Sequence, residues 1–430
     1  MYFLRWFLLG LLPLLALPSC QRATEPAQLR TARTAILFLH YFTDSLSGGI
    51  DDMARTFNQQ NTRYELKSVS LDHEAFKTSI QDTLKSDNPP DLYSYWAGAR
   101  TAAITDELEP LDDVWQQAHL DASFAPSLVR AASQYHGHKY LLPLTQHEVV
   151  FFYNKKVFDA LGLKPPGTWA QFLEVCAVIK AAGLTPIALG AKDRWPAQFW
   201  FDLLLLRSAP YAFRQRLMSG TASYDDPRVK AVFKRWAALL ELGYFNTHAN
   251  DLSWDKGANE MVFRGEAAMT LMGTWNISYF SNADHHWVAG RDFDFFAFPS
   301  LREELPKVIL GPIDGLVIPK KASNKAGAKQ ALVYLAGVQA QQAMSRGSGA
   351  LAPNLQVPLG FYSDIEQRIA ADIRHSAFFA FNYDLATPPA VAERGLDAFS
   401  EFLAFPKAYP EIIDKLARDA RERFRAPDRP

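Results

Sequence analysis

Apolar residues fall along this chain in short runs of strand length, separated by stretches with helical spacing. Residues 35–39 form a compact apolar run, 47–60 carry helical periodicity, 64–70 alternate, and a second helix starts at Asp72, its expected N-cap, and runs to about Ser86. Asn88-Pro89-Pro90 then stops the chain before a third run at 91–96. Strand, helix, strand, helix, strand predicts a parallel sheet. From 102 to 134 the spacing predicts helix, with Leu108, Leu111, Val114 and Trp115 on one face.

Two further strands, 138–144 and 149–153, are joined by the polar stretch Thr145-Gln146-His147-Glu148 with no turn signal between them. That crossing predicts a hinge between two lobes. The pattern then restarts. A short helix holds Val157, Phe158 and Leu161, Thr168 caps a helix to about Ala182, and 185–189 is a strand followed by a loop carrying Trp195. A helix over 197–206 is so apolar that it must be buried. Cys176 lies on the apolar face of its helix and reads as a small core residue. Residues 292–298 predict a strand, 324–342 one helix, 346–350 a small-residue loop, and the last eighty or so residues amphipathic helices.

The stretch 263–280, FRGEAAMTLMGTWNISYF, carries the sharpest signal. A buried strand meets Gly273-Thr274, and Trp275 opens a helix with Thr274 as the expected N-cap. Open α/β sheets bind ligands beyond the carboxyl ends of their strands. That rule singles out Trp275, then Tyr41 and Asp44 after the first strand, Trp96 and Arg100 after the third, and Trp195 in the second half. Aromatic rings beside a carboxylate and a guanidinium suit a ligand with apolar faces and a rim of hydroxyls. Core packing is the competing explanation for each aromatic, and an ordinary surface ion pair for Arg100.

Composition narrows the classes. A hydrophobic share of 48% with 21% charged residues is that of a globular protein, and 430 residues exceed one hydrophobic core. Lys+Arg 45 against Asp+Glu 46 leaves a net charge of -1, which offers no long-range attraction for nucleic acid. Residues 1–20 have the form of an export signal, with Arg5 ahead of an apolar run and a small residue just before Cys20; 21–33 read as a tether. A signal-anchor helix is the alternative. His147-Glu148-Val-Val-Phe151 starts like a zinc-protease motif but has Phe151 where the second histidine must stand. Neither a nucleotide-phosphate loop nor a nucleophile elbow occurs, so no cofactor and no catalytic residue are expected.

The order of segments resembles the extracellular solute-binding proteins of ABC importers, in particular the sugar-binding group akin to maltose-binding protein. Four stretches carry it: PPDLYSYWAG at 89–98; HKYLLPLTQHEVVFFYNKKVFDA at 138–160; FRGEAAMTLMGTW at 263–275; and DGLVIPKKASNKAGAKQAL at 314–332. The Leu17-Pro18-Ser19-Cys20 tetrad resembles the lipobox of bacterial lipoproteins, which implies lipidation at Cys20. The resemblance implies a type II periplasmic-binding-protein fold, α/β in two lobes, each with a mostly parallel sheet flanked by helices and joined by crossing hinge strands. It assigns 34–145 plus 311–348 to one lobe and 146–310 plus 349–430 to the other, with crossings near Thr145 and Leu310.

It further implies a non-enzymatic, exported and membrane-anchored monomer that hands a sugar to ABC permease subunits. Trp96 and Trp275 would be the aromatics of the two lobes and Asp314 a hydrogen-bonding partner, with a turn role as its alternative. The acidic residue expected three positions beyond the first tryptophan is Ala99 here, so maltodextrin is not implied as the ligand. Two other functions fit the same stretches: a binding protein that reports to a membrane sensor, and a secreted carbohydrate-active enzyme.

Overall fold

The structure is a computed structural model that describes residues 32–43 and 46–425. The export signal with Cys20, and the tether up to residue 31, lie outside the described residues. Arg33, expected at the tether's end, already belongs to the fold, because its guanidinium donates to the carbonyls of Asn58 (2.5 Å) and Asn61 (3.3 Å).

Strands β1 (Thr34–His40), β2 (Tyr64–Ser70) and β3 (Leu92–Trp96) pair in parallel in the order β2-β1-β3. Helices Ser47–Gln60 and His73–Lys85 make the crossovers. The second begins where it does because the Asp72 carboxylate accepts hydrogen bonds from the amides of Glu74 and Ala75. The helix expected over 102–134 is broken into short turns, among them Asp112–Gln117 and Pro126–Leu128. Its backbone is claimed elsewhere: Glu109 N donates to Ile318 O (2.8 Å) and Leu111 N to Lys139 O (2.7 Å). Leu108, Leu111, Val114 and Trp115 are nonetheless all buried. A hairpin of β4 (Gln134–Tyr135) and β5 (His138–Lys139) turns at His136-Gly137, both at positive φ, as its two-residue loop requires.

β6 (Leu142–Gln146) completes one edge of the first sheet, and the chain passes straight into β7 (Val149–Asn154) of a second sheet. That sheet has the order β10-β7-β9-β8, with β8 (Thr185–Ala188), β9 (Ala267–Gly273) and β10 (Phe293–Phe296). β11 (Val308–Leu310) leads back, and β12 (Ile313–Val317) enters the first sheet between β3 and β6. β13 (Phe378–Ala380) pairs with β11.

Each sheet is mostly parallel with one strand reversed: β12 is antiparallel to β3 and β6, and β7 to β9 and β10. The crossings cause this. β3, β6 and β9 run toward the junction of the sheets, whereas β7 and β12 carry the chain away from it and must run the other way.

The helix expected over 324–342 is two, Lys325–Leu335 and Val338–Ser348. Asn354 Nδ2 donates to the Ala336 carbonyl (2.8 Å) at the break, and helix replaces the small-residue loop as far as Ser348. The apolar side chains sort into two clusters. One draws on residues 36–144, 313–344 and Leu385; the other on 149–310 and 351–420. Cys176 is a fully buried member of the second. So is nearly all of the helix Trp195–Ser208, which buries every residue from Pro196 to Leu206 and has no polar face.

Between the clusters the crossing strands touch closely. A Cβ on Gly311 would stand 1.9 Å from the His147 carbonyl oxygen, so only glycine fits there. The neighbouring Glu148 is buried, and its Oε2 has no hydrogen-bond partner among the described residues. Burial, reinforced by Asp372 and offset by Lys307 and Arg207, raises its carboxyl from 4.5 to about 8. Between those values the folded chain keeps a proton that the unfolded chain has lost. The stability this group contributes is therefore full below pH 4.5 and lost as pH rises through about 8, at up to about 1.4 kcal/mol per pH unit. Glu148→Gln is expected to flatten the decline of the urea midpoint from about pH 5 to about pH 8. An unaltered pH profile would show that the buried carboxyl is already ionised.

Candidate functional site

A cavity of about 440 Å³ opens where the two sheets meet, beyond the ends of β3 and β9 and at the starts of β7 and β12. Tyr41, Trp96, Arg100, Trp195, Trp275 and Asp314 all line it. Asp44 lies outside the described residues.

The floor is built on Asp314. Its place on β12, opposite Trp96 on β3 and Thr145 on β6, sets the carboxylate between two hydroxyls. Tyr41 Oη donates to Oδ1 (2.7 Å) and Thr145 Oγ1 to Oδ2 (2.6 Å). Burial and this carboxylate hold the Tyr41 phenol well above its ordinary range, so it remains a donor. Tyr41 in turn stacks on Trp96 at 4.4 Å between ring centroids with 8° between planes. One expectation changes as a result. With one indole face covered and only 6% of the residue exposed, Trp96 is not an open platform; it braces Tyr41.

Arg100 lies 5.5 Å from the centroid of the Trp96 ring. Its guanidinium does not reach for a nearby surface acid. It pairs with Asp384 (3.4 Å) and Glu393 (4.0 Å), both from the last part of the chain. His147, at the crossing, stands with Nε2 3.6 Å from Asp314 Oδ2 and shares a 2.9 Å hydrogen bond between Nδ1 and Thr274 Oγ1. Burial lowers its imidazole to about 4 against the opposing effect of Asp314, so the ring is neutral near pH 7. The Thr274 hydroxyl is thereby diverted from helix capping, and Trp275 becomes the N-cap residue of Asn276–Ser281. Trp275 meets the His147 ring edge-on at 5.1 Å.

The walls are aromatic. Trp275 and Trp254 each lie 6.0 Å from Trp195, which is the first residue of its helix rather than part of a loop. From the first lobe His73 approaches both Trp96 (5.4 Å) and Trp195 (6.2 Å). Toward the mouth Glu260 Oε1 accepts from Tyr279 Oη (2.9 Å) and lies within hydrogen-bond distance of His285 Nε2 (2.6 Å).

Several of these groups were not singled out as ligand candidates from sequence, among them His73, His147, Trp254 and Asp384. His147 carried a signal, since it sits in the polar crossing, and His73 follows the helix cap. Trp254 belongs to an irregular π-helical turn and Asp384 comes from far along the chain, so only tertiary structure places them.

Two lobes with separate cores, crossing strands between them and an aromatic-walled cleft at the junction define a binding protein for a small solute. The chain belongs to the bacterial extracellular solute-binding protein family, which it matches over residues 42–342. Members bind solutes and do not transform them, which sets aside the carbohydrate-active enzyme.

An uncharacterized ABC transporter extracellular-binding protein of Pyrococcus horikoshii is 27% identical over 383 residues, covering 86% of this chain and 84% of that protein. The sn-glycerol-3-phosphate-binding periplasmic protein of Escherichia coli is 24% identical over 269 residues, covering 57% and 58%. Among solved structures, the bacterial solute receptor AcbH, described as exclusively preferring β-D-galactopyranose, matches with a TM-score of 0.85 at 27% identity over 92% of this chain and 100% of that one.

Proposed function

We propose that this extracytoplasmic solute-binding protein captures a carbohydrate in the cleft and delivers it to the permease of an ABC importer. The observation that carries the reading is the floor and wall together: a buried carboxylate dressed with hydroxyls beneath partly exposed tryptophans. A pyranose offers apolar C–H faces to Trp275 and Trp195 and hydroxyls to Asp314, Arg100 and His147, all of which line the cavity. The structural likeness to a galactopyranose receptor supports the same ligand class.

In this reading the lobes comprise 34–145 plus 311–348 and 146–310 plus 349–430, and the protein acts as a monomer. A ligand touching both lobes favours their closure, and the permease recognises the closed form. Export removes residues 1–19, and the lipid-modified Cys20 that then begins the chain holds the protein at a membrane. Cys20→Ala is expected to release it from the membrane fraction; unchanged retention would show that the N-terminal segment stays as an anchor helix.

Thermal unfolding of the chain lacking residues 1–20 tests the ligand class. Monosaccharides and oligosaccharides are compared with amino acids, polyamines and peptides. A ligand at a hundred times its Kd stabilises the folded state by about 2.7 kcal/mol. Stabilisation by sugars alone is the expected result, and stabilisation only by another class overturns the reading.

A further inference from the structure

The charges of the cleft are lopsided. Among the described residues, Asp72, Asp255, Glu260, Asp284, Asp314 and Asp384 line it, against Lys77, Arg100 and Lys256. The whole chain carries a net charge of -1, so the excess is local.

Three features that would receive an anion, Arg100 and two of the helix N-termini at the cavity, are already used from within. Arg100 is committed to Asp384 and Glu393. Helix His73–Lys85 has its N-terminus at the cavity, but the Asp72 carboxylate takes its amides, at 3.0 Å for Glu74 and 3.1 Å for Ala75. Helix Trp195–Ser208 also starts there. Its first amides go to backbone carbonyls, Trp195 N to Asp193 O (2.7 Å) and Ala197 N to Arg194 O (3.2 Å), and Pro196 has none to offer. The helix Val338–Ser348 reaches the cavity with its C-terminal end, which adds partial negative charge. Lys77 feels the carboxylate of Glu74, and Lys256 is exposed beside Asp255, where salt screens it.

The floor has the opposite need. The Asp314 carboxylate is buried with two hydroxyl donors and a neutral imidazole 3.6 Å away. Such a group gains from any further donor and is repelled by a second anion, because little water intervenes.

We infer that the cleft selects against anions: its ligand is an uncharged or amine-bearing sugar that donates hydrogen bonds to Asp314, and sugar phosphates, uronic acids and sn-glycerol 3-phosphate are excluded. The inference rests on the carbohydrate reading above. It also separates this protein from its Escherichia coli relative, which is named for sn-glycerol 3-phosphate.

Titration calorimetry on the chain lacking residues 1–20 tests it. The best neutral sugar is compared with its phosphate monoesters, its uronic acid and its amino form, and with sn-glycerol 3-phosphate. At low salt the anionic forms are expected to bind at least about tenfold more weakly than the neutral sugar, with a gap that narrows as salt is raised. The amino form is expected to bind as well or better. Asp314→Asn is expected to narrow the ratio of neutral to phosphorylated affinity, and Asp255→Asn at the mouth does the same without touching the buried floor.

A phosphate ester or uronic acid that binds as tightly as the neutral sugar overturns the inference. Binding of sn-glycerol 3-phosphate with no sugar bound overturns it together with the carbohydrate reading. An uncharged non-sugar ligand, bound alone, overturns the carbohydrate reading and supports the exclusion of anions.

Discussion

Replacing Trp275 with alanine is expected to weaken sugar binding by about a hundredfold, or nearly 3 kcal/mol, with a smaller loss of stability. The indole is only partly buried, it lines the cavity, and it touches the rings of His147, Trp195 and Phe199. A ring placed this way has a face to offer a pyranose, and its removal also exposes the His147–Thr274 hydrogen bond to water. Gly273→Ala provides a second route to the same result. A Cβ there would stand 2.0 Å from the Trp275 ring, so the indole must move while its atoms are retained. Calorimetry beside urea unfolding separates the outcomes. If both variants lose stability yet keep their affinity, Trp275 is a packing residue and the wall belongs to Trp195 and Trp254.

Trp275 was legible because a strand, a glycine and an aromatic residue followed one another within a few positions. The same local logic located Tyr41, Trp96, Arg100 and Trp195 at or near the cavity. Most elements were legible for the same reason, including helix starts set by Asp72 and Thr168. What local pattern could not supply was the outcome of competition between distant groups. Thr274 bonds His147 instead of capping a helix, Tyr41 covers a face of Trp96, and Arg100 is met by Asp384 and Glu393. The pieces of 102–134 are helical in spacing, yet their amides belong to residues 318 and 139. Strand direction followed the same rule: β7 and β12 are reversed because the chain must leave one sheet to enter the other, which no single strand's composition records.

Arg214→Ala is expected to cost about 3–5 kcal/mol of stability and to weaken sugar binding at a distance. Arg214 and Asp202 are 1% and 0% exposed, with Nε and Nη2 donating to Oδ1 at 3.0 and 2.7 Å. Burial pushes the Asp202 carboxyl from 3.8 up to about 6 even with the guanidinium in place. A carboxyl raised in this way contributes stability that is full below pH 3.8 and lost as pH rises through about 6, so the cost of Arg214→Ala should deepen from acid toward neutral pH. Replacing the pair together, Asp202→Leu with Arg214→Met, should recover only part of the loss, because an apolar pair leaves no charge uncompensated but takes the partners from the Phe381 carbonyl and the Tyr383 amide. The link to the cleft is the segment this pair holds. Arg214 Nη2 donates to Phe381 O (2.6 Å), Tyr383 N to Asp202 Oδ2 (2.7 Å) and Asp384 N to Gln198 Oε1 (2.9 Å), which aims the Asp384 carboxylate at Arg100. The next residue, Leu385, packs in the first lobe's core, so the segment joins the lobes beside the cavity. Urea unfolding across pH and calorimetry with the bound sugar check both halves. A stability loss without any change in affinity would mean that Arg100 keeps its place without Asp384, and that the ion pair serves the second lobe alone.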